Sequence, residues 1–131
     1  MISIEEHLNH VGRLFYAIAI CDGNLHEKEL ITLRETLTEY KETVVTRSSS
    51  AQSSKNYTAE KIITSAREES KDSWAHFTEF KKYYEVHRNE FSRELKDHIL
   101  ASINKIASSY SKQNKSEIVL LAKTRLLFNN T

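Results

Sequence analysis

Asp22 and Glu29 stand seven residues apart in the stretch CDGNLHEKE, residues 21 to 29. Two carboxylates at a tight corner offer the hard oxygen ligands that suit Ca²⁺ or Mg²⁺. Glu117 would join them if the later part of the chain returned to the corner, and Glu27 could extend the shell. An EF-hand is the first such site to test, because Asp22, Asn24 and His26 occupy the first, third and fifth positions of that loop. It fails on two counts. The glycine required at the sixth position is Gly23 at the second, and Leu33 stands where the bidentate glutamate belongs.

The same residues also have a purely structural reading. Gly23, just past an apolar helical run, suits the left-handed conformation that ends a helix. His26 would then cap the next helix, with Glu29 as its third residue reaching back to the cap's backbone N–H. Glu27 and Glu29 both favour the positive end of that helix dipole. Capping and cation binding therefore compete for the same carboxylates.

Histidines supply the other candidate ligands. Glu6, His7 and His10 fall within about one helical turn, and His76, His87 and His98 recur every eleven residues. A closed transition-metal site needs more ligands than the first group offers, and a break around Arg88 to Glu90 would misalign the second. Both groups read as solvated or hydrogen-bonded structural histidines. Cys21 has no obvious base and no partner for an intramolecular disulfide, so it reads as a small buried thiol in a reducing compartment. The chain carries no nucleophile elbow, phosphate loop or zinc-protease motif, and no enzymatic activity is expected.

The elements that would position these residues are helical. The chain has 131 residues, no Pro and two Gly, with 39% hydrophobic and 28% charged residues. That composition suits long helices in one domain spanning residues 1 to 131. Ile4, Leu8, Val11, Phe15 and Ile18 share one face of a first helix ending near Ile20, and Leu30, Leu33, Leu37, Tyr40 and Val44 mark a second over about His26 to Thr43. The Ser-rich stretch TRSSSAQSSKN, residues 46 to 56, reads as a flexible loop. Thr58 can cap a third segment whose helical spacing continues through Ile62, Phe77 and Tyr84, with a weakly apolar middle at Ser70 and Ser73 where a break near Glu69 to Ser73 is open. Its aromatic cluster, Trp74, Phe77, Phe80, Tyr83 and Tyr84, could stack nucleobases, but aromatics at helical spacing in such a chain are better read as core. Phe91, Leu95, Ile99, Ile103, Ile106 and Tyr110 define another helix, and Ile118, Leu121, Ala122 and Leu126 the last. The expectation is an all-α bundle of five to six helices.

Charge divides unevenly. Residues 1 to 43 carry eight acids and four bases, and the remainder ten acids and fifteen bases. The later part has no dense Lys/Arg stripe, so nucleic-acid binding is not expected. No stretch approaches a membrane span, and the first ten residues carry two acids and no Lys or Arg, unlike a secretory signal. A cytoplasmic location is the expectation.

A weak internal repeat links the corner to the C-terminal region. Shifted by 88 residues, IASSYSKQNKSEIVLL (106 to 121) aligns with IAICDGNLHEKELITL (18 to 33). Ile18, Ala19, Glu29, Leu30 and Leu33 meet Ile106, Ala107, Glu117, Ile118 and Leu121. The second copy has Asn114 as a cap with Glu117 three residues later, a better capping box than the first. Tyr110 and Ser111 replace Asp22 and Gly23. Two related helical hairpins would then flank a central insert.

The stretch LFYAIAICDGNLHEKELITLRETL resembles the signature of the TerB-like family, named for a tellurite-resistance protein and also found beside a DnaJ-type co-chaperone domain. The shared elements are an Ala-rich helix, an Asp-Gly corner, a Glu seven residues after the Asp, and a leucine-spaced helix. The resemblance implies a helical fold with two pseudo-repeated hairpins, and acidic corner residues that gather a cation or form a charged interaction surface. Carried onto this chain, it nominates Asp22 and Glu29, with Glu117 as the counterpart. The departure at Tyr110 counts against a paired metal site, and the Ser-rich loop and residues 74 to 91 match no part of the signature. The function this implies is a cytoplasmic, stress-associated interaction module with a protein partner. Its acidic first hairpin (Glu5, Glu6, Asp22, Glu27, Glu29, Glu35, Glu39, Glu42) would meet a basic surface. The alternative is a divalent-cation-binding protein using Asp22, Glu29 and Glu117. An uncovered apolar face would also admit a homodimer.

Overall fold

A computed structural model describes residues 4–21, 27–48, 58–69, 71–109 and 115–129. Among them the chain forms six α-helices, one short 3-10 turn and no strand. The helices are α1 (Ile4–Ala19), α2 (Glu27–Ser48), α3 (Ala59–Glu68), α4 (Ser73–Val86), α5 (Arg93–Ser108) and α6 (Lys115–Asn129), with the 3-10 turn at Arg88–Glu90. This is the all-α bundle expected from the apolar periodicity. No helix is long and apolar enough to cross a membrane.

Helix α1 is the hub. Its periodic residues Leu8, Val11, Phe15 and Ile18 are buried, and so are Leu14, Tyr16, Ala17 and Ala19, so its second half is enclosed on every side. A helix apolar all round belongs in the centre of a core, and α1 packs against each of the other five helices. Gly12 permits one of these contacts. A Cβ there would lie 2.3 Å from Ile62 Cγ2 of α3, so the two helices approach closely because position 12 has no side chain.

Local signals explain where the other helices begin and end. The Thr58 side chain accepts from Lys61 N at 3.2 Å and opens α3, as expected. The segment does break at its weakly apolar middle, separating α3 from α4, and there Asp72 caps α4 by accepting from Ala75 N at 2.8 Å. Ser92 does the same for α5, accepting from Leu95 N at 3.2 Å. Helix α2 runs through Ser48, beyond the end expected at Thr43, so the first residues assigned to the Ser-rich loop are helical. Extending an existing helix is far easier than nucleating one, and three polar residues do not stop it. Residues 49 to 56 of that loop lie outside the described residues.

The aromatic segment is core, with one exception. Phe77, Phe80, Tyr83 and Tyr84 are buried, and Phe80, Tyr84, Phe91 and Phe128 form a connected set with Tyr84 5.0 Å from Phe91 and 5.1 Å from Phe128. Phe128 thereby fastens the end of α6 to α4, with Leu120, Leu121 and Leu127 buried beside it. Trp74 remains half exposed.

Candidate functional site

The residues nominated at the corner divide. Asp22 lies outside the described residues. Glu29 and Glu117 are both deeply buried, at 2% and 4% exposure. Since α2 begins at Glu27 and α6 at Lys115, each is the third residue of its helix, where a capping glutamate belongs. Neither is a free carboxylate. The cap positions 26 and 114 are outside the described residues. Of the remaining acidic residues of the first hairpin, Glu27, Glu35, Glu39 and Glu42 are exposed. Glu39 approaches Lys105 at 3.9 Å, and Arg34 on the same helix pairs with Glu60.

Three other constellations emerge. The first is a cleft of about 360 Å³ between α4 and α6. Trp74 and Leu126, at 50% and 67% exposure, give it an apolar wall. Lys123 lies over the Trp74 ring at 5.1 Å, and Lys81, Arg88 and Glu85 complete the lining. Three cations against one anion leave the cleft electropositive. Helix α6 also carries exposed Ile118 and Val119. The sequence signal was visible in part: α6 is apolar on more than one face, so some of it had to remain uncovered in so small a bundle.

The second lies where α1, the α3–α4 break and α4 meet. Arg13 of α1 pairs with Glu69 and, at 3.2 Å, with Glu79, which also accepts from Lys71. The Lys71 hydrogen bond holds the Glu79 carboxyl below the usual range. His76 is fully buried one turn before Glu79, its ring in edge contact with Tyr16 at 5.4 Å. Burial, then the Arg13 charge, lowers its pKa and keeps the ring neutral. Ligand atoms of Glu69, His76 and Glu79 all lie within 4.8 Å of one another. By sequence alone His76 is a structural histidine, and neither glutamate stands out as a ligand. The spacing of three between His76 and Glu79 was a usable signal, whereas Glu69 arrives from across a helix break.

The third is a histidine and tyrosine cluster built on α1. His7 Nε2 lies 2.6 Å from Tyr40 Oη of α2, and the His10 ring stacks on Tyr83 of α4 at 4.2 Å. His7 is buried, and desolvation reinforced by His10 and His87 lowers its pKa to about 4. Burial likewise lowers His10 and raises the Tyr83 hydroxyl. His87 Nδ1 meets Glu90 Oε2 at 3.0 Å in the 3-10 turn. His7 and His87 are thus hydrogen-bonded histidines, the reading expected of His7, whereas His10 is held by ring stacking and its buried Nδ1 has no hydrogen-bond partner. Cys21 is half-buried and donates to Ala17 O at 3.1 Å, less enclosed than expected.

Comparison with known proteins finds no family model, no curated protein and no solved structure that matches the chain.

Proposed function

We propose that this protein is a cytoplasmic helical interaction module of the TerB-like kind, and that its partner surface is the cleft between α4 and α6. The observation that supports this is the half-exposed Trp74 with Lys123 over its face, beside Leu126 in an electropositive cleft. Exposed aromatic side chains with a cation at hand are typical anchors of interfaces. The chemistry that fits is an acidic segment with one or two apolar residues on one face, such as an amphipathic helix. This moves the expected interface away from the acidic first hairpin. There Arg34 and Glu39 are engaged with oppositely charged neighbours, and Ile31 is the exposed apolar side chain. The stress-response setting follows from the TerB resemblance of residues 14 to 37.

The chain's only tryptophan lies in this cleft, so its emission reports occupancy directly. A synthetic helix with Glu on one face and Leu at i and i+4 on the other should shift Trp74 emission to the blue in a saturable, salt-sensitive way. Leu126→Asp and Lys123→Glu should each weaken binding by about tenfold, the effect of about 1.4 kcal/mol. No saturable shift, or one indifferent to both substitutions, would overturn the assignment.

The alternative function, a divalent cation held by Asp22, Glu29 and Glu117, draws support from the deep burial of the last two carboxylates. Mn²⁺ would then broaden amide resonances around Glu29 and Glu117 first. Broadening absent there at millimolar Mn²⁺ would leave the two glutamates as helix caps.

A further inference from the structure

A buried imidazole ordinarily has a hydrogen-bond partner for at least one ring nitrogen. His76 is at 0% exposure, and neither Nδ1 nor Nε2 has such a partner. One of these nitrogens nevertheless shares a volume with two carboxylates, the ligand atoms of Glu69, His76 and Glu79 lying within 4.8 Å of one another. Neither carboxylate hydrogen-bonds to the ring, whichever nitrogen carries the proton, and each of the three groups can donate an electron pair to a metal. What they have in common is affinity for a cation.

The carboxylates already hold cations supplied by the chain. Arg13 bridges Glu69 and Glu79, and Lys71 binds Glu79 from the other side. A divalent metal ion set between the carboxylates matches their two negative charges by itself, so neither Arg13 nor the partly exposed Lys71 is then needed to neutralise them. Neither Arg13 nor Lys71 hydrogen-bonds to a His76 nitrogen, and a metal ion would engage one of the two nitrogens.

We propose that Glu69, His76 and Glu79 form a binding site for a divalent transition metal of the Zn²⁺ class, in which the metal displaces the Arg13 guanidinium from between the two carboxylates. One imidazole and two carboxylates suit Zn²⁺, Co²⁺ or Mn²⁺ better than Ca²⁺, which prefers oxygen ligands alone. Bonds of about 2.0–2.2 Å in a tetrahedral site set donor atoms roughly 3.3 Å apart, so the three must draw together. The chain allows that movement. Glu69 is the C-cap of α3 at the helix break and is exposed, and Glu79 is partly exposed, whereas His76 is fixed in the core against Tyr16. Three protein ligands leave a fourth position for water, the arrangement of an open rather than a closed zinc site. This site shares no residue with the corner carboxylates or with the α4–α6 cleft.

The test is a titration of the full chain, stripped with a chelator, with Co²⁺ followed by Zn²⁺. One equivalent of Co²⁺ should give the visible absorption of a low-symmetry nitrogen and oxygen site, and Zn²⁺ should abolish it by competition. His76→Asn should eliminate the signal. Glu69→Gln and Glu79→Gln, at positions that reach solvent and leave the core intact, should each weaken binding by at least about tenfold, the loss that even outer-shell partners of a metal typically cause. Arg13→Gln removes the competing guanidinium and should tighten binding, an outcome a merely structural ion-pair network does not produce. The proposal is overturned by absence of saturable Co²⁺ absorption and Zn²⁺ heat. It is equally overturned by binding that survives both glutamate substitutions, or by metal-induced resonance changes centred on Glu29 and Glu117 or on His87 instead of His76.

Discussion

Acidification should destabilise this fold well before its carboxylates titrate, and His7 is the residue to follow. Its imidazole is at 3% exposure, its Nε2 is engaged with Tyr40 Oη at 2.6 Å, and its Nδ1 has no hydrogen-bond partner. Protonation would place a second N–H and a full charge in that enclosure, beside His10 and within the field of His87. The native pKa is accordingly lowered from 6.5 to about 4. Below pH 6.5 the unfolded chain binds a proton at His7 and the native state does not, so stability falls as pH falls, and the loss is complete below about 4. The span of about 2.5 units at 1.36 kcal/mol each corresponds to about 3 kcal/mol in total, of which about 2 kcal/mol is lost between pH 7.5 and 5. For a domain with a stability of roughly 5–15 kcal/mol this is a large fraction. Urea unfolding at pH 7.5 and 5.0 measures it. His10 and His76 are lowered in the same sense, so the His7 share is the difference in pH slope between the wild type and His7→Gln. Glu79 and Glu90, with pKa values below the carboxylate range, lose their contribution only at lower pH and fall outside this window. The site-specific check is an NMR titration of the His7 ring. A native midpoint near 6.5, or a His7→Gln variant with an unchanged pH slope, would refute the reasoning.

Three further outcomes follow from particular contacts. Gly12→Ala inserts a methyl 2.3 Å from Ile62 Cγ2, and because a β-branched side chain cannot swing aside, overpacking of about 1–3 kcal/mol should outweigh the ~1 kcal/mol gain in helix propensity. A raised melting temperature would contradict the close approach of α1 and α3. Tyr40→Phe strips His7 Nε2 of its partner in a buried site and should cost about 1–3 kcal/mol by urea unfolding. A change below a few tenths would mean that the pair is not formed. Asp72→Ala removes the cap of α4 and should cost about 0.5–2 kcal/mol, with an intact folded circular-dichroism spectrum at low temperature. Unchanged stability would place the start of α4 elsewhere.

The helical class, the C-terminal end of α1, the weak point before α4 and the Thr58 cap were legible in the sequence, because each depends on residues within a turn or two of one another. Apolar spacing and a capping side chain act over that range, and no other part of the chain alters them. The position of Glu29 and Glu117 as third residues of their helices was legible for the same reason. The length of α2 was not, since a polar run continues or ends a helix according to what supports it.

What the tertiary structure decided is which side chains of different helices meet. Trp74 belongs by spacing to the aromatic core, yet the position of α6 leaves it half exposed under Lys123. Arg13, Glu69, His76 and Glu79 come from α1, the end of α3 and α4, and His7 meets Tyr40 across 33 residues. Side-chain periodicity assigns a residue to a face of its own helix, but not the neighbour that face will touch. The neighbour is settled by packing, here by the absence of a Cβ at Gly12 and by the enclosure of α1 on every side.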